Sequence, residues 1–135
     1  MHEDACIDTL ERDVVEVIRL SGLPVYLVSN HPDDLPEPHT SGAEALFPRG
    51  GVVAARSGDA LVLNWRPRPR HRHVEGVAVC SEMTRLGREF IRHTVQLHAA
   101  LHGWDVEPDQ SDYPFRPVTV RWSPARTDAM DTVLA

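Results

Sequence analysis

The sequence predicts an α+β fold: a mainly antiparallel sheet of four or five strands with two principal helices, in the order α-β-β-β-(β)-α-β. Three observations carry this. Apolar residues recur at helical spacing near the N-terminus and again over residues 81–102. Two β-rich runs flank the turn-forming "RSGD" of residues 56–59. "VTVRW", residues 118–122, alternates apolar and polar without a break. At 135 residues the chain fits a single domain, 1–135, built on one core.

The first helix is read over residues 6–21, with Ile7, Leu10, Val14, Val17 and Ile18 on one face. Asp4 or Asp8 is its candidate cap, acids crowd its first turns where the helix dipole favours them, and Gly22 and Pro24 end it. "PVYLVSN" (24–30) follows as a strand, apolar enough to be central in a sheet. Residues 31–50 begin with the Pro-rich, acidic "HPDDLPEPHTSG" and have no periodicity, so they predict a mobile loop of the kind used as a lid or binding loop. Ser41 and Glu44 stand in capping-box spacing there, enough for one helical turn.

"GVVAARSGDALVLNW" (51–65) predicts a hairpin turning at Gly58, with Leu61, Leu63 and Trp65 on one face of its second strand. "HVEGVAV" (73–79) is either a short fourth strand or the lead into a helix. The long helix is read over 81–102, capped by Ser81 and stopped by Gly103. Met83, Leu86, Phe90, Leu97 and Leu101 make its main apolar stripe, expected to face the core. Ile91, Val95, His98 and His102 make a second, weaker stripe, which predicts a homodimer contact through the long helix. After a Pro/Asp-rich loop, "VTVRW" turns Val118, Val120 and Trp122 inward, and a polar tail follows from 123. The element order resembles that of unrelated small folds, among them secretion-chaperone-like dimers and double-stranded-RNA-binding domains, and no motif ties the chain to either.

The net charge is −6, but it is segregated: −8 over residues 1–48, +5 over 49–92 and −3 over 93–135. An acidic whole argues against broad nucleic-acid binding, which rests on neutralising phosphates. All fourteen basic residues are Arg, the bias of a GC-rich bacterial genome, so Arg abundance alone is not function. No apolar run approaches the ~20 residues of a membrane span. The acidic N-terminus is unlike a secretory signal. Cys6 and Cys80 are read as reduced thiols of a cytoplasmic protein.

The densest feature is "WRPRPRHRH" (65–73). In strand geometry Arg66, Arg68, Arg70 and Arg72 would share one side, a row suited to carboxylate or phosphate, with Trp65 as an aromatic anchor. Pro67 and Pro69 cannot donate ladder hydrogen bonds, so the segment is read as a sheet edge or a departing extended arm. The expectation is a binding or adaptor protein that docks an acidic protein or phosphorylated ligand along this row. Nucleic acid ranks behind those partners, and it would need a continuous basic surface from Arg56 through Arg66–Arg72 to Arg85, Arg88 and Arg92.

Catalytic chemistry is thinly supported. Cys80, placed before a helix start, could carry an activated thiol. His93 could serve as a base only if folding brought it near, and His31 lies in a turn-forming "HPDD". Those three define an alternative reading: a small enzyme with its pocket between the sheet and the 31–50 loop. "CSEMTR" places Arg85 one position too early for a cysteine-phosphatase loop, and no glycines cradle an anion. His98 and His102, four apart on a helix, could combine with His71 and His73 in a metal site. The first of the pair lacks the following Glu of the metallopeptidase motif, since Ala99 stands there. No phosphate-binding glycine loop or dinucleotide fingerprint occurs, and no cofactor is implied.

Overall fold

In the computed structural model, residues 2–29, 49–66, 69–107 and 117–123 are described, with 2–5 and 69–81 given as backbone. Seven elements follow in order: α1 (His2–Leu20), β1 (Val25–Val28), β2 (Gly51–Ser57), β3 (Ala60–Arg66), α2 (Pro69–His102), β4 (Trp104–Val106) and β5 (Val118–Trp122). The five strands form one sheet in the order β1-β2-β3-β5-β4. β1 runs parallel to β2, and every other pair is antiparallel. The α+β class is therefore that expected from the sequence. The segment read as a mobile loop and the polar tail lie outside the described residues, apart from Arg49, Gly50 and Ser123.

α1 follows its sequence pattern. Ile7, Leu10, Val14, Val17 and Ile18 are all buried against the sheet. The helix starts at His2, earlier than expected, so Asp4 and Asp8 lie inside it and not at its cap position. Asp8 is used instead, with Glu11, to hold Arg56 at the end of β2, at 2.6 and 2.7 Å. At its C-terminus Ser21 and Gly22 donate backbone N–H groups to the carbonyls of Ile18 and Arg19.

The β2–β3 hairpin closes through Gly58 and Asp59, and Gly58 has φ 62°. Positive φ at the first loop position alone is the pattern of a type II′ turn, whose twist matches the flanking strands. Alternation then sorts the side chains. Val52, Ala54, Leu61, Leu63, Val118, Val120 and Trp122 join one core under both helices. On the opposite side of the sheet, Val53, Ala55, Val62 and Asn64 are also buried. β5 shows the expected in–out pattern over all five residues.

Two placements depart from the sequence reading. β1, expected to be central, is an edge strand, and its Leu27 is half exposed. An all-apolar run reports cover over the two faces of the sheet, and it does not distinguish an edge strand from an interior one. β4 has no counterpart among the expected elements; three residues beside β5 are too few to show a period.

α2 is much longer than the 81–102 expected, because residues 69–80 are helical and the optional strand at 73–79 does not form. Pro69 opens the helix, where a missing N–H has no intrahelical partner to lose. Ser81 lies inside the helix and not at its N-terminal cap position. Gly103 stops it as expected, donating its N–H to the Ala99 carbonyl at 2.7 Å. The helix approaches the sheet closely at Gly87. A Cβ there would lie 2.2 Å from the Cγ and Cδ2 atoms of Trp65, so only glycine admits this approach.

Candidate functional site

The Arg-rich segment does not form an extended row. Its first member, Arg66, ends β3, which is an interior strand between β2 and β5 and not an edge. Arg66 is buried, on the side of the sheet opposite the two helices. Positions 67 and 68 lie outside the described residues, and from Pro69 onward the backbone is helical. Alternate residues share a side in a strand but are separated by roughly 200° on a helix, so positions 70 and 72 cannot continue a row begun at 66. Trp65 points into the helix–sheet layer, where it packs on Gly87.

Of the catalytic candidates, Cys80 and His93 are not brought together. Cys80 is the twelfth residue of α2, not a residue ahead of its N-terminus, which removes the reason for an activated thiol. His93 is exposed, and thirteen residues along the same helix place it ~20 Å from Cys80. His31 lies outside the described residues. His98 and His102 have ring centroids 6.1 Å apart, and His102 stacks on Trp104 at 4.5 Å. Among the described residues, no group of three or more His, Cys, Asp or Glu side chains converges; side chains of His71 and His73 are not described.

The continuous basic surface expected of a nucleic-acid binder does not form at the described arginines. Arg88 is buried in α2 and Arg66 is buried beyond the sheet. Arg56 is held by Glu11 and Asp8, which push its pKa above the ordinary arginine value. Arg92 donates to the Glu107 carbonyl. Arg85 sits between Glu82 and Glu89 on the outer side of α2. Among the described residues, no helix is long and apolar enough to cross a membrane.

The outer side of α2 is the feature that sequence reasoning places wrongly. The stripe expected in the core is the exposed one: Leu86 is 52%, Phe90 49%, Leu97 78% and Leu101 80% accessible. The stripe expected to be secondary is the core face, with Ile91 and Val95 fully buried beside Thr84 and Arg88. Counting apolar residues chooses the wrong side because the inner face carries a Thr and an Arg. The usable signal is Gly87, the one position in this region that lets a helix sit directly on a flat aromatic ring.

Glu82 borders this outer face. A hydrogen bond from Arg85, aided by its charge, holds the Glu82 carboxyl below the usual glutamate value. A lowered folded-state pKa means the contribution to stability is complete above the unfolded value and lost as pH falls through the folded one. Arg85→Gln is expected to return the Glu82 titration to the range of a free glutamate, read by NMR of its side-chain carboxyl. An unchanged midpoint would show that Arg85 is not the cause.

An open groove of about 440 Å³ runs between α1 and β1, lined by Glu11, Arg12, Val15, Glu16, Arg19, Leu20 and Leu27. Apolar Val15, Leu20 and Leu27 line it beside residues of both charges, with no His or Cys among the described lining residues. Comparison with protein-family models, curated proteins and solved structures finds no match to this chain.

Proposed function

We propose that this chain is a non-enzymatic binding protein that docks an anionic partner, an acidic protein segment or a phosphorylated ligand, at the basic junction where β3 gives way to α2. One observation supports the reading: the first turn of the 34-residue α2 contains no acid, while Arg and His follow Pro69 there. The N-terminal end of a helix carries partial positive charge and normally attracts Asp or Glu. Here the sequence adds Arg and His to that end in place of acids, so local positive charge and helix dipole have the same sign. The +5 charge of residues 49–92 within an acidic chain points the same way.

The test uses fluorescently labelled poly-glutamate and a phosphoserine peptide as probes. Wild-type protein is expected to bind at least one of them at low salt and to release it as salt rises. Arg68→Ala/Arg70→Ala should weaken capture between about two- and thirtyfold, the range set by about 0.2–1 kcal/mol for each ion pair lost, and flatten the salt dependence. Equal binding by the double variant would overturn the reading.

A further inference from the structure

We propose that the outer face of α2 seats a second copy of this chain, the two helices pairing antiparallel about a twofold axis between Ile91 and Arg92. This inference is independent of the anion-docking reading and uses other residues. It begins with spacing. Met83, Leu86, Phe90, His93, Leu97 and Ala100 follow one another at intervals of three and four, which is the seam of a helix pair. The buried residues Thr84, Arg88, Ile91 and Val95 occupy the other side of the same helix. α2 is thus committed to its own sheet by one face and carries a seam on the other that is exposed from Leu86 to Ala100, with Met83 partly buried at its end.

The seam matches itself when reversed. With the axis between Ile91 and Arg92, Met83 faces Ala100, Leu86 faces Leu97 and Phe90 faces His93 of the second copy, and each layer recurs on the far side of the axis. Large residues meet smaller ones in the end layers, and Leu101 covers the edge beside Met83. One polar seam residue, His93, falls in the layers nearest the axis, the kind of position that fixes register in paired helices. A parallel pair would place Phe90 on Phe90 and His93 on His93, and it would not form the closed, mixed layers.

Area and charge agree with this occupant. A large apolar side chain buries roughly 150–200 Å² when fully covered, so the exposed fractions of Leu86, Phe90, Leu97 and Leu101 offer about 400–500 Å² per copy. Two copies supply nearly the ~1,000 Å² of a specific interface from these residues alone, and Met83, His93 and Ala100 extend it. A contiguous apolar patch of this size equals the largest patch of a typical monomer, which is often a functional surface. The acids flanking the seam are already neutralised in part, because Arg85 ties Glu82 to Glu89. The opposite flank holds Thr94 and Leu101, with Gly87 turned to the sheet, so no like charges meet across it.

The full chain is tested by sedimentation velocity over a concentration series. Wild-type protein is expected to shift from monomer to dimer by about 100 µM. Leu86→Arg and Leu97→Glu should each remain monomeric there, a rise in Kd of about 100-fold or more, with an unchanged helical circular dichroism spectrum because neither position belongs to the core. Leu86→Arg/Leu97→Glu should restore the dimer, since antiparallel pairing sets the introduced guanidinium of one copy against the introduced carboxylate of the other. A wild-type monomer at that concentration overturns the proposal, whether the face is covered by another partner or by another segment of this chain. A dimer that both single variants leave intact overturns the assignment to α2. A dimer lost in the single variants and not restored in the double overturns the antiparallel register.

Discussion

Ile91→Ala is expected to lower folding stability by about 2–5 kcal/mol, the range for truncating a buried aliphatic side chain. Leu97→Ala, six residues along the same helix, should change the stability of the monomer by about 0.5 kcal/mol or less. Both substitutions remove apolar atoms from an apolar stripe, and both act on a residue of α2. Only their surroundings differ: Ile91 is 1% exposed inside the core shared by α1, α2 and the sheet, and Leu97 is 78% exposed. Ile91→Ala therefore leaves a cavity lined by close-packed neighbours, and Leu97→Ala leaves none. Urea unfolding at concentrations too low for self-association makes the comparison. The Ile91 variant should show a lower midpoint with an unchanged slope, and the Leu97 variant should overlay the wild type. Equal losses at the two positions would mean that α2 is rotated about its axis relative to the fold described above.

Gly87→Ala should destabilise the fold by about 1–3 kcal/mol or more, although alanine is the better helix former by about 1 kcal/mol. The added methyl would stand 2.2 Å from the indole carbons of Trp65, far inside van der Waals contact. Those atoms lie at the rigid base of the ring, so relief requires α2 to lift from β3 or Trp65 to leave its place. Trp65→Leu supplies a direct check. In that background most of the penalty of Gly87→Ala should vanish, and the double-mutant cycle should report a coupling well above ~0.5 kcal/mol. Thermal or denaturant unfolding of the four proteins gives the result. A penalty that persists without the indole would place the obstruction elsewhere.

The parts of the fold that are legible in the sequence are those where one local rule acts alone. Gly58 between two β-branched runs specifies the hairpin, and the strict alternation of Val118, Val120 and Trp122 specifies β5. The face of α1 is legible because Ile7, Leu10, Val14, Val17 and Ile18 form its only apolar side. α2 has two such sides, and hydrophobicity alone does not say which one the sheet receives. Tertiary packing decides it, through the small residue at 87 and the ring at 65. The alternating arginines mislead for a related reason. Their period suits a strand, but Pro69 also suits a helix start, and the backbone takes the second option. Strand order is not legible at all, since nothing local in "VYLV" distinguishes an edge from an interior position. Of the candidate site, the positive charge of the 49–92 segment is legible, whereas the exposed seam of α2 requires the fold.

The pairing of the sheet also orders the entropy of its assembly. β2 and β3 meet across two loop residues, so their closure fixes very little chain. β1 must find β2 in parallel across the whole 29–50 segment, and β5 must find β3 across α2 and more. β3 pairs with both β2 and β5 and packs beneath α2. The hairpin is consequently the cheapest nucleus the topology offers, β4 and β5 close the next shortest gap, and the parallel edge at β1 and the β3–β5 pairing are the costlier closures.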